Sequence, residues 1–405
     1  MHPSGAFFCI FAAVMDTIFE QLYDTQKAMT QEIKGDFLRY KYAEIDWEER
    51  MFGLVGPRGV GKTTMLLQYA DRHPEQDILY VQADDMVFSD ITLLEFATRY
   101  VRQGGRVLFV DEVHKYKTWA QELKLIHDKL PDLRVAFTGS SVLDISKGQA
   151  DLSRRAPLYH LQGLSFREFL ALYKDIHVPA LSLDDILAHR AELPVSHPYP
   201  LFDEYLHRGY YPFGQRRDYS LLLGQVIAYT LENDIPSFLD LSPSVGRKLK
   251  QLMTIIAKSV PFKPSMQTIA EAVKVSRNDV ADYLMYIEQA GMISQVRDAT
   301  GGIRGLGKVE KVYLDNTNLV YALASVNANT GNLRETFFYN QMRVRYDVVA
   351  SRMADFDIDG RTFEIGGRKK GQRQVAGAAE GYVVKDDIEY GHGNVIPLWA
   401  FGLSY

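Results

Sequence analysis

The sequence predicts an α/β fold built on a parallel sheet, and three observations carry that prediction. Apolar runs of strand length alternate with helical stretches between residues 50 and 141. One run, residues 50–55, feeds the glycine-rich turn Gly56-Pro57-Arg58-Gly59-Val60-Gly61-Lys62-Thr63, and a helix leaves it from Thr64. Another run, residues 106–110, ends in the pair Asp111-Glu112. Strands alternating with helices imply a parallel sheet between helical layers. Ligands of such sheets gather at the carboxyl ends of the strands.

The chain opens on an apolar stretch from Ala6 to Met15 that has no Lys or Arg before it and meets Asp16 at once. It is too short to span a bilayer and lacks the charged start of a secretory signal. No membrane anchor is expected. Ile18, Leu22 and Met29 lie near helical spacing, which predicts an amphipathic helix from about Thr17.

The turn at 56–63 fits the phosphate-loop pattern G-x-x-x-x-G-K-[ST]. Its glycines let the backbone wrap a polyphosphate and aim successive N–H groups at it, and the positive end of the following helix adds its field. Lys62 is expected to reach the β- and γ-phosphates of ATP, and the Thr63 hydroxyl to complete a Mg²⁺ shell. Residues 56–64, Thr64 included, form the expected nucleotide-binding stretch. Asp111, ending its strand beside the loop, is expected to hold Mg²⁺ through water. Glu112 can polarise the water that attacks the γ-phosphate. A second acid at this strand end favours hydrolysis over a simple switch.

Residues 78–81 read as a strand, 91–103 as a helix and 121–130 as an amphipathic helix with Leu123, Ile126 and Leu130 on one face. A strand over 133–141 ends in the hydroxyl residues Thr138, Ser140 and Ser141. A hydroxyl there can bond a γ-phosphate or the attacking water, or can belong to an ordinary Gly-Ser turn. Ser153-Arg154-Arg155 lies in a polar connection. Arginine stabilises charge on a transferring phosphoryl group, in cis or from a neighbouring subunit, while paired arginines on a loop are also commonly just solvated.

Residues 165–240 read as helical, with Phe166, Phe169, Leu170 and Tyr173 at helical spacing. Around 249–259, 267–273 and 278–290 three helices follow, the last carrying Val280, Tyr283, Leu284 and Ile287 inward. A short helix, a tight turn and a Ser-capped helix make a helix-turn-helix arrangement. A hairpin with Arg297, Arg304, Lys308 and Lys311 is the candidate wing. On DNA, Ser276, Arg277 and Asn278 would start the recognition helix, whereas Glu271, Asp279, Asp282 and Glu288 dilute the positive field and suit protein docking.

The last ninety or so residues read as a further unit: a helix over 334–341, then strands at 344–350, 353–358 and 361–365. Asp355, Asp357 and Glu364 are acids on adjacent strands. Two acids and a lysine at a hairpin end can hold Mg²⁺ for phosphodiester hydrolysis. Here Gly366 stands where the usual Glu-x-Lys pattern has its lysine, and Lys369 and Lys370 come later. Nuclease activity is therefore not expected.

Composition fits a soluble protein of several domains. The chain has 405 residues, 46% of them apolar, and a net charge of −5 that does not advertise a nucleic-acid binder. A single cysteine, Cys9, excludes an internal disulfide framework and suits a reducing cytoplasm.

Taken together, the loop 56–64, the stretch Leu108-Phe109-Val110-Asp111-Glu112-Val113-His114-Lys115, Phe137-Thr138-Gly139-Ser140-Ser141, Asp151-Leu152-Ser153-Arg154-Arg155 and residues 163–170 resemble a family of bacterial and archaeal AAA+ ATPases. Members of that family carry a carboxy-terminal domain related to restriction endonucleases. The resemblance runs from about residue 17 to the end. It implies a P-loop NTPase parallel sheet with a helical lid, a winged helix-turn-helix and a small α/β endonuclease-like domain. The boundaries read as 1–47, 48–163, 164–244, 245–312 and 313–405. It also implies a nucleotide sensor at Ser140 and a trigger at Arg154 and Arg155. The expected activity is ATP hydrolysis with Mg²⁺, driving conformational change on a DNA or protein partner in a homo-oligomer. The alternative is a nucleotide-gated binding module with slow hydrolysis that docks partners through its winged helix.

Overall fold

The computed structural model describes residues 3–33, 36–140, 152–259, 265–299, 308–324 and 330–405. Ser141, Asp151 and Arg304, named above, lie outside the described residues. The chain divides into two compact units, the first made of Met1–Gly56 and Gly61–Leu161, the second of Pro57–Val60 and Gln162–Tyr405.

The first unit opens with helix α1, Pro3–Gln31, which begins well before the Thr17 start that amphipathic spacing suggests. The apolar 6–15 stretch lacks Gly-Pro punctuation after Gly5, so nothing in it stops a helix. Among the described residues no helix is long and apolar enough to cross a membrane. Strands β1 (Met51–Gly56), β2 (Ile78–Gln82), β3 (Val107–Asp111), β4 (Arg134–Ser140) and β5 (Leu158–His160) form one sheet in the order β2-β3-β4-β1-β5. Every neighbouring pair is parallel. Helices α2 (Lys62–Arg72), α3 (Leu93–Arg102) and α4 (Trp119–Lys129) connect them.

β1 is buried at all six positions, as a strand covered on both faces must be, and its unbroken apolar run follows from that. β2 is an edge strand. The amide of Gln26 on α1 donates to the Ile78 carbonyl and accepts from the Tyr80 N–H, so α1 satisfies backbone groups that an open edge leaves exposed. Register pairs Gly56 with Ser140 and Gln82 with Asp111. The carboxyl ends of β1, β3 and β4 thus finish along one rim of the sheet.

In the second unit, helices α5 (Phe166–Lys174), α6 (Leu183–Leu187), α7 (Tyr199–Arg208) and α8 (Tyr219–Tyr229) come first. α8 runs on through a π-helical turn, Thr230–Asp234, into α9, Ile235–Phe238. Then come α10 (Pro243–Ser259), α11 (Met266–Val273) and α12 (Arg277–Gln289), followed by an antiparallel ribbon of β6 (Ile293–Arg297) and β7 (Val309–Leu314). Ser276 caps α12 reciprocally with Asp279, an arrangement that contributes about 1 kcal/mol.

After α13 (Thr317–Ala324) and α14 (Thr330–Met342), a mixed sheet closes the chain. Its strands are β8 (Val348–Ala350), β9 (Phe356–Ile358), β10 (Arg361–Gly366), β11 (Gly381–Lys385) and β12 (Val395–Pro397), in sequential order. β8, β9 and β10 pair antiparallel, β10, β11 and β12 parallel. Phe166 and Phe202 of the early helices share one buried core with Phe337, Phe363 and Phe401. The helical region and the final sheet of this unit therefore stand on common packing.

Candidate functional site

β1 brings the chain to the loop at Gly56 and α2 carries it away at Lys62. Gly59 and Gly61 have φ of 83° and 99°, left-handed conformations that glycine adopts without steric penalty. Lys62 is 5% exposed, and its ammonium donates to the Gly56 carbonyl at 2.9 Å. A lysine so buried at the first turn of a helix suits an anionic ligand.

Asp111, at the end of β3, is 1% exposed. Its Oδ2 accepts from the Thr63 hydroxyl at 2.7 Å and from the Tyr80 hydroxyl at 2.7 Å. Its Oδ1 accepts from the Thr138 hydroxyl. Burial, and then the charge of Asp111, push the Tyr80 phenol far up, so this donor keeps its proton. Three neutral hydroxyls orient the carboxylate, and no lysine or arginine pairs with it among the described residues.

The Thr138 hydroxyl also accepts from the Glu112 N–H at 3.0 Å, so one β4 side chain fixes both acids. Glu112 has φ of 54°. A side-chain-bearing residue in that region costs about 1–3 kcal/mol and needs its surroundings to hold it. The carboxylate lies 3.3 Å from His114 Nε2. The β4 hydroxyl meeting Asp111 is that of Thr138. Ser140, proposed from sequence as the sensor, lies two residues on, buried and in register with Gly56. Tyr80 had no sequence signal. Its role depends on β2 lying next to β3, which local pattern does not encode.

Residues 48–170 match the family model of an AAA domain. The chain contains an AAA domain. Residues 199–330 match the model of a domain of unknown function, DUF8612. The uncharacterized protein MJ1637 of Methanocaldococcus jannaschii is 34% identical over 158 residues, 36% of this chain and 33% of that protein. The match thus spans about a third of that relative's length. Among solved structures, the Saccharomyces cerevisiae Hsp104–ADP complex has a TM-score of 0.32 at 17% identity, covering 66% of this chain and 41% of that one. AMPPCP-bound DnaA from Aquifex aeolicus has a TM-score of 0.27 at 15% identity, covering 64% and 89%. Likeness at this level carries no argument about this chain.

Elsewhere in the AAA domain, Thr64 is exposed and Val60 buried. Arg154 is exposed. Arg155 forks onto Asp128 of α4, Nε to Oδ1 at 2.9 Å and Nη2 to Oδ2 at 3.1 Å. That fork, with a bond from His127, holds the Asp128 carboxyl down at about 2. Arg155 therefore has a surface partner within its own chain.

Residues 57–60, the tip of the loop, belong to the second unit. Arg58 forks onto Asp234 of the π-helical turn, with both distances 3.0 Å, and its guanidinium lies 4.4 Å from the Tyr229 ring centre. A Cβ on Gly59 would fall 2.8 Å from the Phe213 ring. The Arg58 side chain is thus engaged by protein, and the phosphate-loop pattern asks for backbone at this position.

The final sheet, with β7 and α14 beside it, holds a second polar cluster. Ile365 N–H donates to Asp355 Oδ2 at 2.9 Å. Lys311, from β7, is 3.0 Å from Asp355 and 3.1 Å from Glu335 of α14. Lys370 pairs with Glu364, which is 1% exposed. Sequence left the lysine position of this motif empty. In the structure the cation arrives from four residues further on, and Gly366 makes the room, since a Cβ there would fall 2.5 Å from the Lys370 chain. Lys369 is not part of that pair. Asp357 accepts from Thr362 at 2.8 Å instead of joining the cluster. Burial raises the Glu364 carboxyl, and burial followed by Asp355 raises that of Glu335. Among the described residues no group of three or more His, Cys, Asp or Glu is placed to hold a metal ion.

Proposed function

We propose that the AAA domain binds ATP with Mg²⁺ and hydrolyses it to ADP and phosphate, and that this cycle drives a conformational change on a DNA or protein partner in the cytosol. The observation that carries the reading is the knot of Thr63, Asp111 and Thr138 at the rim of the parallel sheet, beside Lys62. The fit to a nucleotide rests on chemistry already described. Two glycines open the loop, a buried ammonium sits at the helix start, and a buried carboxylate is bound by hydroxyls without being neutralised.

In this reading the loop N–H groups and Lys62 hold the β- and γ-phosphates, and Thr63 and Asp111 hold the Mg²⁺. The metal, when bound, neutralises phosphate charge and orients the triphosphate. Glu112 takes the proton of the attacking water. Its strained backbone, tied to Thr138, keeps that carboxylate next to the metal-binding Asp111. Arg154 and Arg155 serve a neighbouring subunit in a homo-oligomer, with Arg155 leaving Asp128 when the interface forms. The three helices α10 to α12 with the β6–β7 ribbon act as a winged helix toward the partner.

The second reading, a nucleotide-gated module with slow hydrolysis, is favoured by one observation. Glu112 lies against His114, an in-chain contact that competes with water for the carboxylate. Steady-state ATPase rates with and without DNA distinguish the two. The wild type is expected to turn over, and Glu112→Gln to bind ATP while turnover falls by ~10²-fold or more. A Glu112→Gln protein that hydrolyses at the wild-type rate moves the base elsewhere. Wild-type binding without measurable turnover supports the gated module.

A further inference from the structure

The second unit contains a cavity of about 550 Å³ whose use nothing above explains. Its floor is apolar: Leu223, Ile227, Leu231 and Met253 are each buried. Its rim is basic. His207, Arg208, Arg217 and Lys250 line it, and no Asp or Glu does.

The rim cations differ in how they are held. Arg208 donates to the backbone carbonyls of Gly214 and Arg216 at 2.6 and 2.9 Å. Neutral acceptors fix its direction, and its charge also acts on the carboxylate of Glu204. Lys250 pairs with Glu232 at 3.0 Å, and His207 stacks on Tyr321 with ring centres 3.8 Å apart. Arg217 is exposed and has no ionic or hydrogen-bond partner among the described residues. Among the polar groups in the wall, which include Ser220 and Thr254, Asn318 is already satisfied. Its oxygen accepts from Tyr210 N–H and Tyr219 hydroxyl, and its nitrogen donates to the Tyr205 and Leu206 carbonyls. The cavity therefore offers a ligand apolar contact, positive charge at Arg217 and the hydroxyls of Ser220 and Thr254.

We propose that this cavity binds a small amphipathic organic anion. A carboxylate or phosphate head lies against Arg217 and Arg208, and an apolar body rests on Leu223, Ile227 and Met253. The volume falls within the range of small-molecule sites. The division of labour, apolar area for affinity and a few charged groups for orientation, is that of such sites generally. Charge-assisted contacts to guanidinium are the stronger kind of hydrogen bond and select anions over neutral molecules.

Gly224 gives the test a clean handle. It lines the cavity and is exposed, and a Cβ there meets nothing within 4 Å. A large side chain at this position enters open space, and replacing glycine inside a helix does not weaken the helix. Calorimetric titration of the full chain with octanoate, octyl phosphate, octylamine and acetate reads the proposal directly. Octanoate and octyl phosphate are expected to bind at one saturable site, and octylamine and acetate are not. Gly224→Phe is expected to abolish binding, and Arg217→Glu, at an exposed position that leaves folding intact, to weaken it about tenfold or more. Three results each overturn the proposal: octylamine binding as well as octanoate, either variant binding as the wild type does, or neither octyl anion saturating a site by millimolar concentration.

Discussion

Two polar clusters, one at the rim of the first sheet and one at the final sheet, contain similar acids and treat them oppositely. Asp111 is surrounded by the hydroxyls of Thr63, Tyr80 and Thr138. Asp355 and Glu335 share Lys311, and Glu364 takes Lys370. Hydroxyls orient a carboxylate and leave its charge in place for a metal. Lysines cancel it. Burial of acids is thus not what marks a metal-binding site. The identity of their partners is, and by that measure we read the first cluster as available and the second as closed, because Lys311 takes Asp355 in addition to the one lysine that a hairpin site carries.

The largest effect is expected at Lys62. Lys62→Ala removes the buried ammonium from the loop, and calorimetry is expected to show micromolar Mg-ATP affinity lost. Unchanged affinity would detach the hydroxyl-bound cluster from nucleotide altogether.

Next in size is the lysine that closes the second cluster. Lys311→Met leaves Glu335 and Asp355 facing each other without a cation. Removing one partner of a largely buried pair costs about 3 kcal/mol, which denaturant unfolding of the wild type and variant measures. The wild type is expected to leave linear and circular DNA uncut in Mg²⁺ or Mn²⁺. Cleavage that Glu364→Ala abolishes would show that the lysines do not close this cluster.

A smaller effect follows from the raised carboxyls. Glu335 and Glu364 hold protons more tightly folded than unfolded. Each therefore contributes stability that is fully present below its unfolded pKa and lost as pH rises through the folded value. Glu335→Gln mimics the protonated form. It is expected to raise the melting temperature slightly at pH 8 and to leave it nearly unchanged at pH 4. A uniform change at both would mean the effect is packing, not charge.

The same contrast explains what was legible in the sequence. The first site could be read because its parts are contiguous: a strand, a glycine loop and a helix start at 56–64, then a strand ending in Asp111-Glu112. Each strand's apolar run placed its last residue at the sheet's rim. The third part, Thr138, was legible as a hydroxyl at a strand end, but choosing it over Ser140 required the register that brings it to Asp111. Tyr80 depended on strand order. At the final sheet, Asp355 and Glu364 were visible as acids on neighbouring strands. Lys311 and Glu335 were not, because they come from a ribbon and a helix earlier in the chain. Lys370 was hidden by spacing: a lysine four residues past a glycine does not look like the third member of a motif until Gly366 is seen making room for it. β11 and β12 were missed as well, since both are short and follow a Gly-rich stretch from 366 to 381.

Metal binding tests the central claim most directly. Mn²⁺ in place of Mg²⁺ can be counted by electron paramagnetic resonance on the full chain. The account predicts one bound Mn²⁺ per chain when ATP is present and none without it. Asp111→Asn is expected to abolish that binding and Glu364→Gln to leave it intact. Mn²⁺ that binds without nucleotide, survives Asp111→Asn and disappears in Glu364→Gln would contradict it.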